Sequence, residues 1–223
     1  MVADNTPLAV PAGSQRLLAL LALHERTLSR HQVAGTLWPE STAEHASSNL
    51  RSAVSRLEAS VRQAVSVTSR GLGVAEGVVV DIRDARGLAR GLIDRDTPPR
   101  DRDVGAHAVS ALSSELLPGW YDDWALLAAE DWRQLRLHAL EAVAARLTAA
   151  GRLAEATAAA LAAVRAEPLR ESARATLIRV HMAEGNQSEA LGELRRYRQL
   201  LVAELGIEPT PALGKLLEDI EPP

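Results

Sequence analysis

Apolar residues in the second half of the chain recur at helical spacing and predict two pairs of helices. The predicted helices cover residues 131–150, 152–166, 171–183 and 187–204. Gly151 and Gly185 fall at the turn inside each pair and lie 34 residues apart, the period of a tetratricopeptide helix pair. Both glycines are expected to adopt a left-handed backbone. Stacked pairs would form a groove for a peptide or helix of a partner, or would simply pack on the rest of the chain.

The first half of the chain shows the outline of a helix-turn-helix. An apolar helix is predicted over residues 14–24. Ser29 and Gln32 form a capping box that opens a short helix, and Pro39 stops it. Ser41 and Glu44 form a second capping box, which is expected to open a longer helix that runs to about residue 63.

The longer helix has two distinct faces. Its apolar stripe consists of Ala46, Leu50, Val54, Leu57 and Val61. The opposite face carries small hydroxyl residues and arginines, namely Ser48, Ser52, Ser55, Arg56, Ala59 and Arg62, with Arg51 at its flank. Small residues let a helix approach DNA, while arginine reaches phosphates or guanine edges. The same composition also fits an ordinary solvated helix face, so the pattern alone leaves both interpretations open.

A β-hairpin is predicted behind this helix. Residues 65–70 alternate apolar and polar side chains, as in a half-buried strand. Gly71 and Gly73 would form the turn, and the Val78–Val80 run would lie in a second strand over residues 74–82. This is the position of the wing in a winged-helix domain, and Arg70 is its candidate DNA contact. The glycines lead into a strand, so they do not indicate a nucleotide-binding loop.

A charged segment with a proline pair, residues 93–104, reads as a linker or exposed loop. It divides the chain into domains over residues 1–92 and 105–223. Trp120, Tyr121 and Trp124 follow a Pro-Gly turn in a chain that is only 3% aromatic. We interpret them as an interdomain or partner contact: buried, they would seal the helical array against the first domain, and exposed, they would receive a partner.

Composition and charge narrow the function classes. The chain has 223 residues and a net charge of −4. Up to Asp96 it carries 11 basic and 10 acidic residues, against 14 and 19 afterwards, an asymmetry whose sign suits a first domain that approaches phosphate. Cysteine is absent, and the six histidines are scattered. No catalytic motif occurs, so we expect no enzyme activity, no metal site and no cofactor. The longest near-apolar stretch is too short to span a membrane, and no secretory signal is visible, so a cytoplasmic protein is expected.

The sequence resembles the SARP-type transcriptional activators, the actinobacterial antibiotic regulatory proteins. Two of the segments that carry the resemblance are Leu37-Trp38-Pro39 and Leu117-Pro118-Gly119-Trp120-Tyr121-Asp122-Asp123-Trp124. The others are residues 16–23, 49–57, 150–156, 167–171 and 201–211. The resemblance implies a mainly α fold, with a response-regulator-like winged helix-turn-helix and its small β-hairpin wing, followed by an all-α bacterial transcriptional activator domain of TPR-like repeats.

The resemblance also implies partners. In this family the long helix enters the major groove of double-stranded promoter DNA, while the helical domain assists homo-oligomer formation and contacts RNA polymerase or another protein. Three features of this chain depart from the family pattern. Few residues precede the first helix, Glu58 stands where an arginine is usual, and Arg70 is the only basic residue of the wing. A scaffold with a degenerate winged helix that binds protein rather than DNA is therefore the alternative function.

Overall fold

A computed structural model describes residues 2–3, 6–7, 10–94, 96 and 103–217 of the chain. Its residues fall into two compact units. The first unit holds the described part of residues 1–84 together with Gly119–Ala128, and the second holds the described parts of Ala85–Pro118 and Ala129–Pro223. The sequence-based domain boundaries at residues 92 and 105 stay a prediction. Most of the predicted linker, at residue 95 and residues 97–102, lies outside the described residues.

The fold is mainly α, which confirms the predicted fold class. The strands are β1 (Val2–Ala3), β2 (Thr6–Pro7), β3 (Val65–Val67) and β4 (Leu72–Val74), paired in order as two antiparallel hairpins. The helices of the winged-helix region are α1 (Ala12–Leu23), α2 (Arg30–Leu37), α3 (Ala43–Ser55) and α4 (Ala59–Arg62). They are followed by α5 (Asp81–Ile93), α6 (Ala106–Ser113), α7 (Asp123–Ala149), α8 (Leu153–Ala166), α9 (Glu171–Ala183), α10 (Gln187–Leu205), α11 (Pro211–Gly214) and a 3-10 helix (Lys215–Leu217). No helix among the described residues is long and apolar enough to cross a membrane.

The first unit is organised around one apolar core. Helices α1, α2 and α3 bury one face each in it, and the wing strands contribute Val65 and Leu72. The predicted apolar stripe lies entirely inside this core, from Ala46 at 3% exposure to Val61 at 1%. The stripe is therefore confirmed as the buried face of this segment.

Two predicted details of the helix-turn-helix are wrong. Thr42, not Ser41, caps α3, because the Ser41 N–H bonds to the Trp38 carbonyl and closes a turn after α2. The Thr42 hydroxyl accepts from the His45 N–H at 3.4 Å. The helix also ends at Ser55 instead of running to residue 63, and the chain turns before α4 begins. The capping box of Ser29 and Gln32 is confirmed, with both reciprocal hydrogen bonds present.

The wing exists, but its second strand was predicted in the wrong place. Leu72–Val74 is the strand itself, and the turn lies at residues 68–71. Leu28 fixes this arrangement, because its N–H and carbonyl bond the Leu72 carbonyl and N–H, each at 2.8 Å. The Val78–Val80 run, predicted as strand, leads instead into α5, a helix that the sequence reading missed.

The second unit contains the predicted helix pairs. Helix α9 has the predicted bounds, while α7 begins at Asp123, eight residues before the prediction, and α6 was missed. The predicted left-handed glycines are confirmed, with φ of +73° at Gly151 and +77° at Gly185. Leu140, Val143 and Leu147 line the buried face of α7, and Leu135 is half-buried.

Candidate nucleic-acid interface

The outer face of α3 is the centre of the candidate interface. Ser48, Arg51 and Ser55 are exposed on this helix, opposite Leu50 and Val54, and Ser52 beside them is half-buried. The Ser55 hydroxyl donates to the Ser52 carbonyl at 3.0 Å, which keeps its side chain close to the helix. A helix face made of small hydroxyls and one arginine has room for close approach to another surface.

Arg56 and Arg62 lie beyond the end of α3. Arg56 is the C-terminal cap of that helix, and its side chain is exposed. Arg62 ends α4, and its Nη1 donates to the Val54 carbonyl at 3.0 Å. A cation at a helix C-terminus is stabilising because it meets carbonyls that have no helical partner. Arg62 therefore has a structural task in the last turn of α3, in addition to its predicted role at DNA.

Arg70 lies in the turn of the wing, and its side chain is exposed. The Thr68 N–H donates to the Gly71 carbonyl at 2.9 Å, and the Thr68 hydroxyl accepts from the Arg70 N–H at 3.2 Å. Gly71 has φ of +151°, and a Cβ there would lie 1.9 Å from the Leu28 carbonyl oxygen. The wing is thus held against Leu28, which forms an isolated β-bridge with Leu72, by a contact that only glycine allows.

The sequence reading missed three exposed side chains on α3. Glu44, His45 and Asn49 lie in its first two turns, near the side that carries Ser48. Placing every residue of this helix on the same helical wheel would have found them. Glu44 suits the positive end of the helix, but it is a carboxylate close to the predicted phosphate contacts. Glu58 lies outside α3 altogether, as the exposed N-cap of α4.

The aromatic segment after the Pro-Gly turn belongs to the first unit. Trp120 and Trp124 meet edge to face, with ring centroids 5.9 Å apart and an interplanar angle of 79°. Trp124 packs against the core of the first unit, whereas Tyr121 is 84% exposed. Asp122 forms an ion pair with Arg16, whose guanidinium also donates to the Leu37 carbonyl at 3.0 Å. The interdomain or partner role of this segment stays a prediction.

The described residues contain no cluster of histidine and carboxylate side chains that could hold a metal ion. The candidate interface instead offers hydroxyls and arginines, which are hydrogen-bonding groups suited to phosphates and base edges.

Comparisons with known proteins place these features in a family. The family model described as the bacterial transcriptional activator domain matches residues 55–221. The regulatory protein AfsR of Streptomyces coelicolor is 32% identical over 230 residues, which cover 97% of this chain and 23% of AfsR. The regulatory protein AfsR of Streptomyces griseus is 30% identical over 224 residues, which cover 92% of this chain and 22% of that protein. The chain thus spans less than a quarter of the length of these relatives.

A solved structure shares the fold. Mycobacterium tuberculosis EmbR, in complex with a low-affinity phosphopeptide, aligns with a TM-score of 0.60 and 22% identity. The alignment covers 99% of this chain and 62% of the EmbR chain. Because the family model matches most of its length, the chain belongs to the SARP-type family of bacterial transcriptional regulators, which carry a bacterial transcriptional activator domain.

Proposed function

We propose that this chain is a transcriptional activator that binds double-stranded promoter DNA through its winged helix. The observation that carries the proposal is the exposed face of α3, where Ser48, Arg51 and Ser55 lie opposite the buried stripe. In this proposal α3 enters the major groove, where arginine reads guanine and serine bonds to phosphate. The comparisons support a regulator by family membership.

The other predicted contacts surround that helix. Arg56 and Arg62 follow the C-terminal end of α3, and Arg70 lies at the wing tip. Arginines at these positions would neutralise phosphates on either side of the groove, which fixes the protein on the duplex without reading sequence. Ser52, which is half-buried, would pack close to the backbone of the DNA.

The helical unit is proposed to act through protein contacts. Its stacked helix pairs offer an extended surface of the kind that receives a peptide or helix. By family likeness, the partner is RNA polymerase or another protein, and the unit also supports homo-oligomer formation. No cofactor or catalytic step enters this proposal.

A second candidate function is a protein-interaction scaffold whose winged helix does not bind DNA on its own. Exposed apolar side chains along and after the wing favour it, since Val79 is 80% exposed and Val67 and Val78 are each 38% exposed. Such side chains suit a protein surface better than a phosphate backbone. Glu44 in the first turn of α3 and Glu58 before α4 are two exposed carboxylates of the first unit, which also fit a DNA surface poorly.

Salt-dependent binding to genomic DNA fragments separates the two functions. Each phosphate contact that is removed should reduce the slope of log K against log salt by about 1. We therefore expect lower slopes for Arg51→Ala, Arg56→Ala, Arg62→Ala and Arg70→Ala. Arg179→Ala, on an exposed position of α9, is the matched control and should keep the wild-type slope.

Wild-type slopes in all four variants would contradict the DNA contacts proposed here. Binding that is insensitive to salt, or absent from every fragment, would support the scaffold instead. A pull-down of RNA polymerase by the same variants then tests the helical unit separately, because none of the four substitutions lies in it.

A further inference from the structure

The second unit contains a pocket of about 360 Å³ that the proposed function does not use. Its lining consists of Ser113, Glu115, Arg136, Ala162, Arg165 and Ala166. Arg136 comes from α7, Arg165 from the last turn of α8, and Ser113 from the end of α6. Three of the lining residues, Ser113, Ala162 and Ala166, have small side chains, and two others are arginines.

Arg136 is buried without a carboxylate partner. The residue is 4% exposed, and its Nη1 donates to the Ser113 carbonyl at 3.1 Å. Its Nε is buried and has no hydrogen-bond partner in the part of the chain that the structure describes. Burial lowers the pKa of the Arg136 guanidinium, which nevertheless stays charged because arginine does not deprotonate in proteins.

Three other partly buried arginines of this unit are paired with carboxylates, whereas half-buried Arg146 donates to the backbone carbonyls of Leu92 and Asp94. Arg174 binds Glu193 at 2.8 Å, and Arg170 binds Glu141 at 2.7 Å. Arg133, one turn before Arg136, binds Glu130 and Glu167. Buried charges are normally paired in this way, because an uncompensated charge in the interior is costly. Arg136 departs from that rule although it is more buried than any of them.

The remaining charges at the pocket leave it positive. The Arg165 side chain is exposed and forms no ion pair or hydrogen bond with any other described residue. Glu115 attracts Arg136 through space but makes no ion pair with it among the described side chains. Glu167 is occupied by Arg133. The pocket is therefore lined by two arginines, Arg136 and Arg165, and by one carboxylate, Glu115, that forms no ion pair with Arg136.

We propose that this pocket is an anion-binding site that takes an oxyanion, a carboxylate or a phosphoryl group, between Arg136 and Arg165. The planar fork of a guanidinium matches both groups through parallel charge-assisted hydrogen bonds. The bond from Nη1 to Ser113 holds the Arg136 fork in place, so little ordering is left for binding. The ligand supplies a second negative charge beside Glu115, so that both arginines of the pocket are balanced.

The test follows the Arg136 Nε–Hε signal of the whole chain by NMR while inorganic phosphate or acetate replaces chloride at constant ionic strength. A saturable shift of that signal is expected. Arg165→Gln keeps the fold, because its side chain is exposed, and should weaken binding about threefold or more. Arg179→Gln removes an exposed charge elsewhere in the unit and should bind as the wild type does.

An absent or unsaturable shift with phosphate, acetate and an oligoglutamate peptide would overturn the site. Equal affinities of wild type and Arg165→Gln would also overturn it, since the response would then be a general ionic effect. Saturation by phosphate or acetate identifies a free ion as a sufficient ligand. Saturation by the oligoglutamate peptide alone identifies an acidic side chain of a protein partner, which is a second source of the same chemistry.

Discussion

Two regions of the molecule differ in how their backbone groups at helix ends and strand edges find hydrogen-bond partners. They are the winged-helix region, α1–α4 with the β3–β4 hairpin, and the repeat region, α7–α10. In the repeats, α7 and α9 each end in the same local turn. The Arg152 N–H donates to the Leu147 carbonyl and the Asn186 N–H to the His181 carbonyl, both at 2.9 Å. These are the 6→1 hydrogen bonds of a Schellman motif, in which a left-handed glycine ends the helix. Each motif is complete within six consecutive residues.

In the winged-helix region, carbonyls at the ends of α1 and α3 and the backbone of the wing strand are hydrogen-bonded by residues farther away in the sequence. Arg83 donates to the carbonyls of Leu21 and Ala22 at the end of α1, each at 2.9 Å. Arg62 reaches the Val54 carbonyl at the end of α3, and Leu28 pairs with the wing strand. These contacts join parts of the chain up to 62 residues apart. Each exists only when its distant partner is folded, so we expect the winged-helix region to lose order as a unit and a repeat turn to weaken locally.

Gly71 gives the largest expected effect, because it sits where the wing touches Leu28. In Gly71→Ala, the new Cβ would lie 1.9 Å from the Leu28 carbonyl oxygen, so the backbone must move and both hydrogen bonds to Leu72 are strained. We expect the free energy of unfolding of the first unit to fall by about 3 kcal/mol or more. Thermal unfolding, with hydrogen exchange to assign the unit, measures it.

Gly77→Ala is the matched control in the same region. Gly77 also has a positive φ, of +81°, but a Cβ there would meet nothing within 4 Å. Its cost should be the backbone strain alone, about 1 kcal/mol. If both alanine variants lose the same stability, the contact with Leu28 does not hold the wing, and the proposed dependence on a distant partner fails.

Gly185 tests the local turns of the repeats and should give an intermediate effect. Gly185→Val places a β-branched side chain at φ of +77° in open space, so we expect a loss of about 1–2 kcal/mol from backbone strain alone. Gly185→Asn should lose roughly half as much, because asparagine tolerates the left-handed region. Gly151→Val should match Gly185→Val. Hydrogen exchange that speeds up in the first unit as well would contradict a local effect.

The contrast also explains which helices could be predicted from the sequence. Residues 171–183 were predicted as helix, and α9 has those bounds; its end is set by the adjacent left-handed Gly185. Helix α5 was missed, since the preceding Val78–Val80 run favours strand by composition. Its buried residues Ala85, Ala89 and Leu92 do follow helical spacing, but two alanines give a weak apolar signal.

The candidate interface was predictable only in part, for the same reason. The apolar stripe fixes the opposite face, so Ser48, Arg51 and Ser55 were placed correctly on the outer side of α3. The apolar stripe does not show where that helix ends, because the pattern continues past Ser55. Leu57 and Val61 remain buried after the break, because α4 resumes with the same face toward the core. Neither glycine nor proline marks the break, and the contact from Arg62 to Val54 depends on a turn that the pattern does not show.

Arg62 and Arg56 give the smallest and most specific comparison. Both are exposed arginines predicted to contact DNA, but only Arg62 donates to a carbonyl at the end of α3. Arg62→Ala should lower the stability of the first unit by about 1 kcal/mol, because the last turn of α3 loses its cation and a charge-assisted hydrogen bond. Arg56→Ala should stay within about 0.5 kcal/mol of the wild type.

Arg62→Lys keeps the charge without the planar fork, so the stability of its first unit should lie between those of the two alanine variants. Hydrogen exchange at residues 52–56 should therefore speed up in Arg62→Ala and not in Arg56→Ala, while the slope of log K against log salt for DNA binding should fall by about 1 in both variants. Equal stability and equal exchange in the two alanine variants would show that the end of α3 is held locally, as in the repeats, and that the contrast between the regions does not extend to this helix.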